Sequence, residues 1–342
     1  MMTIKRFFKI SALMATFAFA GTSAHSAMLD DIRAADEIKC GINTVMAGYS
    51  ETNDEGEWIG FNVSYCRALA AAVLGDAKKV EFVNLTSKNR FPALQAGEVD
   101  ILSNNTTWTT LRDVHLGFTF VGVQYYDGQG FIGRKSLGIE SAKDIDGASI
   151  CALMGTTTEM NLADFARINK ISYESVPIET NAEARAAYLS ERCDLYTSDA
   201  SGLAATRASF TDPDEHMIFP EIISKEPLGP VVSQGDDQWA DIARWTLNAL
   251  IIAEELGITQ ANVRAKAQGT DDPQINRLLG SEGDFGAMLG LDKQWAVRAI
   301  EAEGNYAEVF ERYIGSKSHI GLERGLNALY KDGGLLYAPP FR

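Results

Sequence analysis

Alternation of short apolar runs with helix-like ones is the feature that most narrows what this chain can become. Residues 37–42 (EIKCGI) read as a strand. Residues 62–74 (NVSYCRALAAAVL) read as a helix with Gly75 as its stop, and 80–83 as a second strand. Residues 89–96 form a short helix ended by Gly97, and 99–102 a third strand. This βαβαβ order implies a parallel sheet with right-handed crossovers. A second series starts near Gly130. Residues 131–133, 149–152, 171–176 and 194–197 read as strands, and 157–167, 182–189 and 201–208 as helices. Past Pro230 the chain turns helical, with Asp237–Glu255 a long amphipathic candidate and more helix within 293–313. Residues 257–290 are polar and weakly periodic. The expected fold class is α/β, with two α/β lobes enclosing a cleft at the carboxyl ends of strands, where ligands tend to bind.

Charge and leader bound the function. The 342 residues carry 31 Lys+Arg against 46 Asp+Glu, a net charge of −15. Without a basic patch such a chain cannot replace phosphate counterions, so nucleic acid is excluded as a partner. Lys5, Arg6 and Lys9 precede an apolar run over 10–20, and small residues Ala24, Ser26 and Ala27 follow. This is a secretory signal peptide, residues 1–26, and its run is shorter than the ~20 apolar residues that span a bilayer. No cysteine ends that run, so no lipid anchor is indicated. The expected mature protein is exported, soluble and acidic. Cys40, Cys66, Cys151 and Cys193 lack C-x-x-C spacing, and no His pair has metal-ligand spacing, so neither metal nor cofactor is expected. In an oxidising compartment two disulfides are the default, but four cysteines permit three pairings and sequence alone does not choose.

Four segments follow strands and so can converge. The first, SNNTTWTTLR, places neutral hydrogen-bonding groups, Asn105 and Thr107 among them, ahead of Arg112. A guanidinium can grip a carboxylate through two parallel bonds, although a polar turn with Arg112 in a surface ion pair fits too. In the second, MGTTTE, Thr156 and Glu159 fit a helix capping box, and a helix start there also suits an anion. The third, CDLYTSD, ends in Asp199, either an N-cap or a carboxylate for a ligand ammonium. The fourth, GINTVMAGY, forms a cleft wall or an ordinary loop. One cation, one anion and several neutral donors suit a zwitterion, which points to an α-amino acid.

Taken together, GEVDILSNNTTWTTLRD, YYDGQGF, GTTTEMNLADF, RCDLYTSDASGL, PEIISKEPLGPVV and GDDQW resemble the amino-acid-binding periplasmic proteins of ABC importers, more narrowly their general L-amino-acid-binding subgroup. The resemblance covers essentially the whole mature chain. It implies a periplasmic-binding-protein-like fold: lobe 1 over 28–127 plus 232–342, lobe 2 over 128–231, and hinge segments near 125–130 and 225–231. It implies that Arg112 holds the α-carboxylate, with Asn105, Thr107, Thr156, Thr157 and Thr158 beside it, and that Asp199 binds the α-ammonium. Relatives specific for basic residues carry aromatic groups where this chain has Met46 and Ser87, and an acid where it has Asn43, which fits broad specificity. On that lobe division Cys40–Cys66 and Cys151–Cys193 are favoured, each pair lying within one lobe. The implied partners are a free L-amino acid and inner-membrane permease subunits, with the binding protein itself a monomer. Extra sequence at about 256–290 and 316–342 has no counterpart in simple relatives.

Two other readings remain at this level. An exported small-acid enzyme, dehydratase-like, on the same scaffold would need a poised acid or base, and only Glu159 and Asp199 offer one. His25, His115, His216 and His319 form no cluster in sequence. A sensor that presents its closed form to a signalling protein is not separable from transport by sequence.

Overall fold

The structure, a computed structural model, describes residues 27–342, so the leader peptide lies outside the described residues. The chain opens with α1 (Met28–Ala35) and β1 (Ile38–Asn43), followed by a small ribbon of β2 (Glu51–Thr52) and β3 (Trp58–Ile59). Helix α2 (Phe61–Leu74), β4 (Val80–Leu85), α3 (Arg90–Gln95), β5 (Ile101–Ser103) and β6 (Phe118–Phe120) complete the first pass. Helix α2 is buried on nearly every side, so its length and the left-handed Gly75 stop mark it, not an amphipathic face.

The chain then leaves through β7 (Tyr125–Asp127) and builds a second unit: β8 (Gln129–Arg134), β9 (Ser149–Leu153), α4 (Thr157–Asn169), β10 (Glu174–Ile178), α5 (Asn181–Leu189), β11 (Leu195–Asp199), α6 (Ala200–Ala208) and β12 (His216–Ile218). It returns through β13 (Glu226–Leu228) and β14 (Val231–Ser233) into helix α7 (Asp237–Glu255). Strands β7 and β13 pair antiparallel and form a two-stranded hinge between two five-stranded sheets.

The sheets run β4-β1-β5-β14-β6 and β10-β9-β11-β8-β12. The parallel-sheet expectation holds for the strands of the βαβαβ series and does not extend to the strands that complete the sheets. β1 pairs parallel with β4 and β5, and β9 with β10 and β11, but β14 and β8 enter antiparallel. The chain crosses between lobes twice, and each return strand slots in with reversed direction. Several of the strands missed in the sequence are three residues long, too short for a periodic signal.

Disulfides join Cys40 to Cys66 and Cys151 to Cys193. The first pins α2 to β1, and the second pins β9 to the approach to β11. In the chain-entropy model each stabilises by roughly 3–4 kcal/mol. The polar stretch after α7 holds three short helices, two of which put Val263, Ile275 and Leu278 into the same core as α2 and α7. The C-terminal tail follows, with Phe341 set against Trp245, Phe285 and Trp295. Among the described residues no helix is long and apolar enough to cross a membrane.

Candidate functional site

The loop after β5 is shaped by what it must reach. Asn105 sits at φ 41°, a left-handed turn that Asn tolerates. The hinge side then holds the loop: Gly229 N–H donates to the Thr106 carbonyl at 3.0 Å, and Trp108 N–H to the Pro227 carbonyl at 2.8 Å. Arg112 is 5 % exposed and makes no ion pair among the described residues; its Nη1 donates to the Thr107 carbonyl at 2.8 Å. The surface-ion-pair reading therefore fails. Burial lowers its pKa, an effect offset by Glu226 and Asp199.

A second buried cation, Arg90, was missed in the sequence. Its Nη1 donates to the Asn104 carbonyl at 2.8 Å and to Asn104 Oδ1 at 3.2 Å. The Arg90 and Arg112 guanidinium carbons lie 5.0 and 5.1 Å from the Phe91 ring centroid, a cation–π arrangement that fixes both. Burial first, then Arg112, push the Arg90 pKa down to about 9, with Asp199 opposing. A signal for Arg90 existed: it stands, like the four segments above, just past the carboxyl end of a strand, here β4.

On the facing lobe the capping box does not form. The Thr156 hydroxyl donates back to the Leu153 carbonyl at 2.6 Å, and Glu159 accepts from Gly155 N–H at 2.9 Å. No side chain caps α4, which leaves its positive end to the cleft. Gly155 has φ 75°, and a Cβ there would lie 3.1 Å from Lys88 Cα of the other lobe, so glycine permits both the turn and the close approach. Thr157 Oγ1 donates to Glu226 at 2.9 Å and stands 3.4 Å from Thr107 Oγ1 across the cleft.

Asp199 occupies the N-cap position of α6 yet makes no side-chain cap bond. It is half-buried. Burial raises its pKa well above the usual carboxylate value, Asp127 and Glu226 raise it further, and Arg90 and Arg112 pull against them. Asp127 is pushed up to about 6 by burial, against hydrogen bonds from Ser201 and Gly128. Asp127 and Glu226 are register partners across the hinge ribbon. Glu226 is 2 % exposed and accepts from Thr157, Asn161 and Ser224.

Most of these groups meet in one cleft. Of the residues foreseen, Asn43, Met46, Asn105, Thr107, Thr156, Thr157, Thr158 and Asp199 line it. Ser87, Arg90, Asn181 and Ser198 join them, while Arg112 is set back behind Thr107. Asn62 Nδ2 bridges Asn43 Oδ1 and Asn105 Oδ1 and fixes that wall. Asn105 Nδ2 and Arg90 Nε are buried donors with no acceptor among the described residues. Among the described residues no histidine lines the cleft: His115 is exposed, and His216 is buried against Tyr188 and Phe210. Among the described residues no group of three or more His, Cys, Asp and Glu is placed to hold a metal ion.

A model of the bacterial extracellular solute-binding proteins, family 3, matches residues 38–263. The chain belongs to that family. Its relatives include the glutamate/glutamine/aspartate/asparagine-binding protein of Rhodobacter capsulatus, 53% identical over 96% of this chain and 97% of that one. The general L-amino acid-binding periplasmic protein of Rhizobium johnstonii is 51% identical over 96% of each chain. A periplasmic binding protein of an ABC transporter from Brucella ovis, solved with glutathione bound, matches with a TM-score of 0.90 at 53% identity, covering 93% of this chain and 100% of that one. The resemblance read from the sequence, the two-lobed α/β fold and the periplasmic location are thus borne out. Membership of that family makes this a solute-binding protein.

Proposed function

We propose that the cleft captures free L-amino acids as zwitterions, over neutral and acidic side chains, and that the protein hands them to the permease of an amino-acid ABC importer. The observation that carries this reading is the facing of charges: Arg90 on one wall with Arg112 set behind it, Asp199 on the other, neutral hydroxyls and amides between. In this reading Arg112 and the uncapped start of α4, with Thr156, Thr157 and Thr158, hold the α-carboxylate. Asn105 and Thr107 supply further contacts, and Asp199 takes the α-ammonium. Asn43, Met46 and Arg90 surround the side chain, where Arg90 favours acidic or amide ligands. The lobes are 28–127 plus 232–342 and 128–231, turning about β7 and β13, and the protein acts as a monomer.

The names of the relatives support the ligand class. Glutathione, bound by the Brucella ovis relative, carries a γ-glutamyl group with a free α-ammonium and α-carboxylate, the same head group as a free amino acid. The reading therefore extends to γ-glutamyl peptides that the cleft can close over. A micromolar complex needs about 8 kcal/mol, within reach of a ligand of about ten heavy atoms.

Calorimetry of refolded, ligand-free protein against a panel of L-amino acids and glutathione tests this. Binding of glutamate, glutamine, aspartate or asparagine, with recovery of unchanged ligand, is expected. No heat from any of them at millimolar concentration, or conversion of the ligand, overturns the reading.

A further inference from the structure

Asp199 stands where an N-cap residue stands, and Asp is among the best N-caps, yet its carboxylate does no capping. The hinge takes the first two N–H groups of the helix, one of which, that of Ser201, an N-cap side chain normally serves. Ala200 N–H donates to the Gly128 carbonyl at 2.8 Å. Ser201 N–H, the usual partner of an N-cap side chain, approaches Asp127 Oδ1 and Oδ2 at 3.4 and 3.3 Å. Asp127 is itself fixed, because Gly128 N–H donates to its Oδ1 at 2.8 Å. It is the last residue of β7, and the next strand brings Gln129 into register opposite Asp199. The hinge thus reaches the start of α6 with both a backbone carbonyl and a side chain.

We propose that Asp127 is a positioning residue: it caps α6 in place of Asp199 and so leaves the Asp199 carboxylate free to face the ligand ammonium. The inference rests on the zwitterion reading above for its ligand, though not for its geometry. An uncapped helix start and a neighbouring free carboxylate satisfy each other when nothing else intervenes. Without Asp127, Asp199 turns onto the N–H of Ser201 and is lost to the cleft. Asparagine at 127 keeps an acceptor for Gly128 and Ser201 and removes a like charge from beside Asp199. Alanine removes both.

The test measures glutamine affinity by calorimetry for the wild type, Asp127→Ala, Asp127→Asn, Asp199→Asn and the double variant Asp127→Ala/Asp199→Asn. Asp127→Ala is expected to weaken binding about tenfold, and Asp127→Asn to recover most of that loss. The double variant is expected to bind no worse than Asp199→Asn alone, since the two residues act through one carboxylate. Additive losses, or no recovery with asparagine, overturn the proposal. Crystals of ligand-free Asp127→Ala give a readout independent of ligand identity. Asp199 rotated onto the Ser201 N–H supports the proposal, and Asp199 unmoved overturns it. Should the wild type bind no amino acid, the ligand reading falls while this structural arm still decides the capping role.

Discussion

The two walls of the cleft hold their charges by different means. The cationic wall is self-sufficient. Arg90 and Arg112 share the Phe91 ring, and their Nη1 atoms donate to carbonyls of the loop that follows β5. Each cation is desolvated but held by the ring and by at least one loop carbonyl, so it is fixed before any ligand arrives. The anionic wall is crowded with like charge. Asp127 and Glu226 raise the proton affinity of Asp199, Glu226 raises that of Asp127, and both Asp127 and Glu226 belong to the hinge. One side is preorganised, and the other is under electrostatic strain that a ligand ammonium relieves. In the zwitterion reading the cations orient the ligand and the carboxylates make closure favourable, because the relief exists only when both lobes touch the ligand.

The sharpest way to break this contrast is to remove a cation. Arg112→Ala is expected to weaken amino-acid binding by about 100-fold or more, since losing one partner of a buried charge interaction costs about 3–5 kcal/mol. Arg112→Lys is expected to recover little, because an ammonium cannot reproduce the planar fork. Unchanged calorimetric affinity in Arg112→Ala would refute the carboxylate role. Next in size is Arg90→Gln. If Arg90 serves the side-chain end, affinity for glutamate falls about tenfold or more while alanine affinity changes by less than about threefold, a charge-assisted bond being lost in one case only. Equal losses for both ligands would place Arg90 in the support of the loop.

How much of this was legible follows the same division. β1, α2, α4 and α7 were readable because each is long enough to show an apolar pattern or carries its own stop signal. Asp199 and the threonines of α4 were readable because they follow strands in a βαβ series. Arg90 follows a strand as well, but a lone Arg before Phe-Pro looks like an ordinary helix start. The reversed β8 and β14 depend on the chain crossing twice between lobes, which local pattern does not encode. The failed capping box at Thr156 has a related cause. Thr-x-x-Glu states what the side chains can do, whereas the Leu153 carbonyl and Gly155 N–H took both partners in the fold.

Acid tests the strained wall with a smaller effect. Folded-state pKa values of Asp127 and Asp199 are raised, so the native protein keeps protons that the unfolded chain has released. From these two groups, stability is present at low pH and lost as pH rises through about 6, the value for Asp127. A ligand ammonium needs the ionised forms and reverses the trend. The thermal shift produced by a saturating amino acid is therefore expected to shrink several-fold between about pH 7.5 and about pH 5. A shift that stays constant or grows toward acid would mean that no ammonium meets these carboxylates.

The smallest effect on binding is expected far from either charge set, where the C-terminal segment meets the hinge. Asn327, 3 % exposed, accepts from Tyr126 N–H at 2.7 Å and donates its Nδ2 to the Tyr126 carbonyl at 3.0 Å. Its amide thereby does for β7 what a neighbouring strand does, on the edge that β13 leaves open. Arg324 holds the backbone of Asn327, donating from Nε to its main-chain carbonyl at 2.9 Å and from Nη2 to Glu254 at 3.0 Å. Asn327→Ala leaves two backbone groups of Tyr126 without their partner, a destabilisation of about 1–3 kcal/mol. It should appear as a lower denaturant midpoint with amino-acid affinity held within about threefold, because the cleft groups keep their own anchors. A loss of affinity as large as that of Arg112→Ala would show instead that the cationic wall depends on the hinge as the anionic wall does, and the contrast between the two walls would fail.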